Sequence, residues 1–192
     1  MGAMTIAEAW PPAGQLLTVD DLDRTPDDGR RYELVDGVLV VSPAPGIPHQ
    51  EAVSELLGLL REVCPRGLRT VAGAAVQMSV STELIPDIVT VRFDDFRGPR
   101  ITRAPLLAVE VQSSSTRMFD RSLKKTLYQD FGVGSYWIVV PDAEQPELIA
   151  FELRDGQYEE TGHVIGDQLF RTQRPFPFEV TPGRLIAGLL PD

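Results

Sequence analysis

The stretch Pro105-Leu-Leu-Ala-Val-Glu-Val-Gln112 decides how this chain is read. Leu106 to Val111 is a short run of apolar, strand-forming residues, the pattern of a central strand buried on both faces. One carboxylate, Glu110, interrupts it. An ionised side chain in such a strand is costly unless a cation, a proton or hydrogen-bond donors compensate it. A second run of the same kind, Leu84-Ile-Pro-Asp-Ile-Val-Thr-Val91, carries Asp87. The spacing between the two acids suits strand, loop and adjacent strand, so both carboxylates can converge on one point.

Working outward, residues 117–131 read as a helix ended by Gly132 and Gly134, and Tyr136-Trp-Ile-Val-Val140 reads as another buried strand. Upstream, Thr18 caps a short helix over 18–23. Arg31-Tyr-Glu-Leu-Val-Asp-Gly-Val-Leu-Val-Val-Ser42 is a hairpin signal with Asp36-Gly37 as its turn. Val53, Leu56, Leu57, Leu60 and Val63 recur at helical spacing, predicting an amphipathic helix over 49–63 that Pro65 and Gly67 stop. Strands are expected over 71–80 and 85–91, with a loop over 93–104. Downstream, Arg154-Asp-Gly156 turns a second hairpin, 176–180 reads as a late strand and 182–190 as a short helix or turn. Residues 1–15 are expected to form an N-terminal arm and 16–192 one α/β domain, a mixed sheet flanked by helices.

The chain has 192 residues, 43% hydrophobic and 24% charged, ordinary values for a soluble globular protein. No apolar stretch approaches the ~18 residues needed to span a membrane. The first ten residues have neither a basic region nor an apolar core, so no signal peptide is expected and a cytoplasmic location is. The single cysteine, Cys64, excludes an internal disulfide and reads as structural. With only His49 and His163 besides, a Cys/His zinc site is not expected. A metal here would be held by oxygen, which points to magnesium or manganese. The net charge of -10 argues against strong, sequence-blind affinity for nucleic acid.

Two strand carboxylates followed by a lysine-bearing helix suggest a divalent-metal site for phosphodiester hydrolysis. Asp87 and Glu110 would hold the cation, with the carbonyl of Val111 as a further oxygen ligand. Lys124 could position or deprotonate the attacking water, and Gln112 could orient a water or contact a phosphate. Plainer readings stand beside these. Asp87 could face solvent at a strand end. Lys124 could form an exposed i,i+4 pair with Asp120, with Tyr128 packed beside it. Glu33 could meet an ordinary cross-strand partner, and His49 could start its helix near the site or be a surface or capping residue. Ser113, Ser115 and Thr116 could form a turn that caps the following helix. Arg117 and Arg121 could touch phosphates or form a solvated face.

An ordered series of short motifs adds to this. It runs Tyr32-Glu-Leu-Val-Asp-Gly37, Ser42-Pro43, His49-Gln50, Pro86-Asp-Ile-Val89, Val109-Glu-Val-Gln-Ser-Ser-Ser-Thr116, Asp120-Arg-Ser-Leu-Lys124, Tyr128, Gly132-Val133 and Tyr136-Trp-Ile-Val139. The series resembles the Uma-two family of endonucleases, within the PD-(D/E)XK, restriction-endonuclease-like superfamily. The resemblance implies a mixed sheet flanked by helices and a magnesium-dependent nuclease site acting on DNA. It implies that Asp87 is the aspartate of the PD motif, Glu110 the second acid, Glu33 an additional acid near the metal, and Lys124 the family's lysine, moved from the strand onto the helix. Two departures stand out. Gln112 occupies the position where the superfamily's general motif has lysine, and Ser114 stands where the family usually has proline. Double-strand cutting in this superfamily generally needs two sites, so a homodimer is expected. The alternatives are a nuclease fold kept as a binding module, and a metal-dependent phosphoesterase with another substrate.

Overall fold

The computed structural model describes residues 14–112 and 119–189, the side chains of 119–121 excepted. After a 3-10 turn at Val19–Arg24, the chain forms β1 (Arg31–Val35), β2 (Val38–Ser42) and the helix α1 (Ile47–Val63). Strands β3 (Leu68–Ala72), β4 (Val76–Gln77), β5 (Glu83–Leu84), β6 (Ile88–Arg92) and β7 (Leu107–Val111) follow. A π-helical stretch, Phe119–Lys124, runs into α2 (Lys125–Phe131). The chain continues through β8 (Ser135–Val140), β9 (Glu147–Arg154), β10 (Gln157–Ile165), β11 (Phe170–Thr172) and β12 (Phe178–Val180), and then a 3-10 stretch, Pro182–Leu189.

The main sheet has six strands in the order β10-β9-β8-β7-β6-β3. Only β7 and β8 pair in parallel, with Val109 opposite Trp137; every other pair in it is antiparallel. A parallel pair needs a crossover, and the segment carrying Lys124 supplies it. A second sheet, β2-β1-β5-β4, brings the first hairpin alongside. Its turn follows the expected chemistry. Asp36 and Gly37 both adopt positive φ, 48° and 81°. A Cβ at position 37 would also lie 2.9 Å from that of Leu16, so glycine is required there.

The two faces of β7 enter two different cores. Leu107, Val109 and Val111 pack with Leu56 and Leu60 of α1, and with Trp137 and Val139. Ala108 packs on the other side with Tyr128, Tyr136 and Ile138. Side chains alternate along a strand, so Glu110 shares the side of Ala108 and faces α2. That alternation delivers the carboxylate to the lysine.

One expectation needs correction, and one strand was not foreseen. Residues 71–80 do not form one strand. Gly73 takes φ +63°, the chain turns, and β3 instead starts at Leu68 while β4 is a separate two-residue strand in the other sheet. The strand β11 was not anticipated; it pairs with β12, opposing Phe170 to Val180. Cys64 is half-buried and receives a hydrogen bond from the Thr70 hydroxyl, in keeping with a structural role. Trp137 lies in the core as expected.

Candidate active site

Four elements build the site. Glu33 lies in the middle of β1, Asp87 immediately before β6, Glu110 near the end of β7, and Lys124 at the junction of the π-helical stretch and α2. π-Helical turns recur at functional sites because they rotate a side chain out of the ordinary helical stripe. All four residues are buried.

Lys124 Nζ is 2.9 Å from Glu110 Oε1 and 3.0 Å from Glu33 Oε1. Glu110 Oε1 also accepts the Tyr128 hydroxyl proton at 2.6 Å. Glu33 Oε1 also accepts the backbone N–H of Ile85 at 2.8 Å. The lysine from the helix therefore does reach the two glutamates. The reading of Lys124 as an exposed i,i+4 ion pair is set aside by its 3% exposure. The side chain of Asp120, its supposed partner, lies outside the described residues.

Asp87 makes a second cluster. Its Oδ1 accepts from Arg31 at 2.6 Å, while Oδ2 faces His49 Nε2 at 3.1 Å and accepts the Val111 N–H at 2.7 Å. Burial, the largest influence, pushes its pKa up. The hydrogen bond with His49, the Arg31 charge and the Val111 N–H together outweigh it, and the carboxyl titrates below its ordinary value. The Tyr128 hydroxyl is driven well above the ordinary tyrosine value, first by burial and then by Glu110 and Glu33. Burial works against the charge of Arg31, yet Asp87, Glu110 and Glu33 hold its pKa above the usual arginine value. One guanidinium thus feels all three acids, which places the two clusters in one electrostatic site.

Each sequence-derived candidate can now be located. Glu33, Lys124 and Glu110 meet directly. Asp87 and Val111 meet through the backbone N–H of Val111. Gln112 is buried directly after β7, and its N–H donates to the Val139 carbonyl at 2.7 Å. Asp87 is 3% exposed and so does not face solvent, and Glu33 meets a lysine from a distant helix as well as a backbone donor. His49 is not a mere surface residue: it sits in the first turn of α1 with its ring against Asp87, and its buried Nδ1 has no hydrogen-bond partner among the described residues. Arg31 carried no signal beyond its place at the head of the hairpin. Ser113, Ser114, Ser115, Thr116 and Arg117 lie outside the described residues, as does the side chain of Arg121.

The donor set has the chemistry of a hard-cation site, since three buried carboxylates are oxygen ligands suited to magnesium or manganese. As the side chains stand, among the described residues no group of three or more His, Cys, Asp and Glu is arranged to hold a metal. The protein's own cations, Lys124 and Arg31, occupy the carboxylates instead.

A mixed sheet with flanking helices, acids at the ends of neighbouring strands and a lysine brought in by the crossover is the architecture of a restriction-endonuclease-like protein. The family profile Uma2, described as "Putative restriction endonuclease", matches residues 19–185, and the chain belongs to that family. A solved structure described as a "putative nuclease" from Anabaena variabilis superposes with a TM-score of 0.72 over 91% of this chain and 99% of the other. Sequence identity between the two is 16%, so this likeness speaks for the fold. No curated protein matches. Among the described residues, no helix is long and apolar enough to cross a membrane.

Proposed function

We propose that this protein is a metal-dependent endonuclease that hydrolyses DNA phosphodiester bonds. Glu33, Asp87 and Glu110, with the Val111 carbonyl, would hold magnesium or manganese. A divalent cation there would neutralise phosphate charge and lower the pKa of a bound water. Lys124 positions the attacking water and stabilises charge that develops on the phosphate, because its ammonium is already held by two fixed carboxylates. Gln112 assists by orienting that water. Tyr128 and the Ile85 N–H fix the two glutamates, and His49 and the Val111 N–H fix Asp87.

The observation that carries this reading is the reach of Lys124 from the helix to both Glu33 and Glu110. It supplies a lysine to a site whose strand offers Gln112 in the lysine position. Cutting both strands of a duplex calls for two such sites, and the proposal extends to a homodimer acting in the cytoplasm.

The test is cleavage of plasmid DNA with Mg2+ or Mn2+. The expected result is nicking or cutting by the wild type, abolished in Asp87→Ala and Glu110→Ala; intact cutting by either variant would sink the site. A second reading is a nuclease fold kept as a binding module. The net charge of -10 and the self-compensated acids favour it. Calorimetric titration separates the two: absence of Mg2+ and Mn2+ binding by the wild type would favour the module. Cleavage confined to RNA or small phosphodiesters would instead identify another phosphoesterase.

A further inference from the structure

We infer that Arg31 is an exchangeable counter-ion: it holds Asp87 while no metal is bound, cedes that carboxylate to the cation, and turns its guanidinium to a substrate phosphate in the adjoining cleft. The inference rests on the metal-site reading above and adds a residue and a mechanism of access to it.

Three observations carry it. The first is position. A cleft of about 640 Å³ is lined among others by Arg30, Arg31 and Arg100 and by Asp23, Asp27 and Glu83. Its volume is within the range of ligand clefts. Arg31 belongs both to this cleft and, through its 2.6 Å contact with Asp87, to the acid cluster. Its side chain is 24% exposed, whereas that of Asp87 is 2% exposed. The arginine side chain thus borders solvent, whereas the carboxylate is enclosed.

The second is how Asp87 is tied. His49 and the Val111 N–H both fall on Oδ2, and Arg31 falls on Oδ1. Departure of Arg31 frees one oxygen and leaves the other held by two partners. The carboxylate keeps its place during the exchange. Arg100 and Arg30 are differently engaged: Arg100 is held by Asp23 and Glu83, and Arg30 by Asp28. Of these three arginines only Arg31 reaches Asp87.

The third is charge. Among the described side chains, and leaving His49 aside, the three acids contribute three negative charges, and Arg31 and Lys124 two positive ones. Adding a divalent cation to that set would overshoot neutrality, and like charges at such range repel strongly in a buried site. If Arg31 leaves as the cation enters, the acids, Lys124 and the metal balance. A phosphate in the cleft then gives the displaced guanidinium a bidentate anionic partner in place of Asp87.

The experiment is calorimetric titration of the full chain with MnCl2, comparing wild type, Arg31→Ala, Arg31→Gln and Arg31→Lys, with thermal melts to establish folding. Arg31→Gln keeps an amide donor toward Asp87 and serves if Arg31→Ala does not fold. The expected result is Mn2+ binding about tenfold tighter or more in the neutral variants, and near wild type in Arg31→Lys. Equal or weaker binding by folded neutral variants, with wild type binding metal, overturns the exchange and leaves the metal site standing. No binding by wild type or any variant removes the metal site and the exchange together. Fluorescence anisotropy with a phosphorothioate duplex oligonucleotide and Ca2+ tests the second half. Arg31→Gln is expected to bind it about fivefold more weakly or worse; unchanged binding overturns the phosphate role.

Discussion

The two halves of the acid cluster differ in how they meet water. In the inner half, Lys124, Glu33 and Glu110 have side chains 2–3% exposed, and the Tyr128 hydroxyl donates to Glu110. In the outer half, Asp87 is equally buried, but its partners Arg31 and His49 are 24% and 11% exposed. Both halves join carboxylate to cation, yet they serve different ends. A sealed pair in low dielectric fixes geometry, since neither partner has water to turn to. A pair with one partner at the surface can open. The difference makes the inner half the frame of the site and the outer half its entrance.

The largest expected effect tests the sealed half. Lys124→Met would leave two buried carboxylates without their cation and should lower stability by about 3–5 kcal/mol in urea unfolding. A loss under about 1 kcal/mol, the range of exposed pairs, would break the contrast. Next, Tyr128→Phe removes a hydroxyl that donates to Glu110 and should lower stability by about 1.5–3 kcal/mol. It also carries a pH signature. The phenol's pKa is raised well above 10.0 in the folded state. Its contribution is therefore complete below pH ~10 and declines at higher pH, where only the unfolded chain ionises. Unfolding measured across the alkaline range should show that decline in the wild type and less of it in Tyr128→Phe.

Asp87→Asn probes the outer half from the acid side. The folded pKa of Asp87 lies below 3.8, so its contribution is present above that value and lost as the pH falls through the folded pKa. Acid unfolding of the variant should be correspondingly less steep below pH ~4. The smallest effect is expected for Arg31→Gln, within about 1 kcal/mol of wild type, because the arginine is partly solvated and Asp87 keeps the Val111 N–H and His49. A loss comparable to that of Lys124→Met would show the entrance to be as rigid as the frame.

Much of this arrangement could be read in the sequence wherever a local pattern carried it. The alternation along Leu107–Val111 sets Glu110 on the face of Ala108, and the apolar flanks of Asp87 announce a buried acid. The Asp36-Gly37 turn was explicit as well. What stayed hidden depended on distant pairing. Nothing in Arg31 or His49 reveals that each meets Asp87, because the contacts join residues 56 and 38 positions apart. Lys124 was legible by family resemblance, but its reach was not, because a π-helical stretch shifts side chains away from the stripe that ordinary helical spacing predicts. The strand expected over 71–80 failed for a local reason: Gly73, inside the stretch, takes a positive φ and breaks the backbone between two sheets.

The ion pair between Lys124 and Glu33 joins residues 91 positions apart, whereas that between Lys124 and Glu110 joins residues only 14 apart. That disparity orders events during synthesis and folding. Contacts that close long loops come after short ones, because the entropy of closure precedes the reward. As the chain leaves the ribosome, Glu33 emerges long before the segment that carries Lys124, whereas Arg31 precedes Asp87. The site is complete only once the first hairpin and the crossover helix, early and late products of translation, have docked on one sheet.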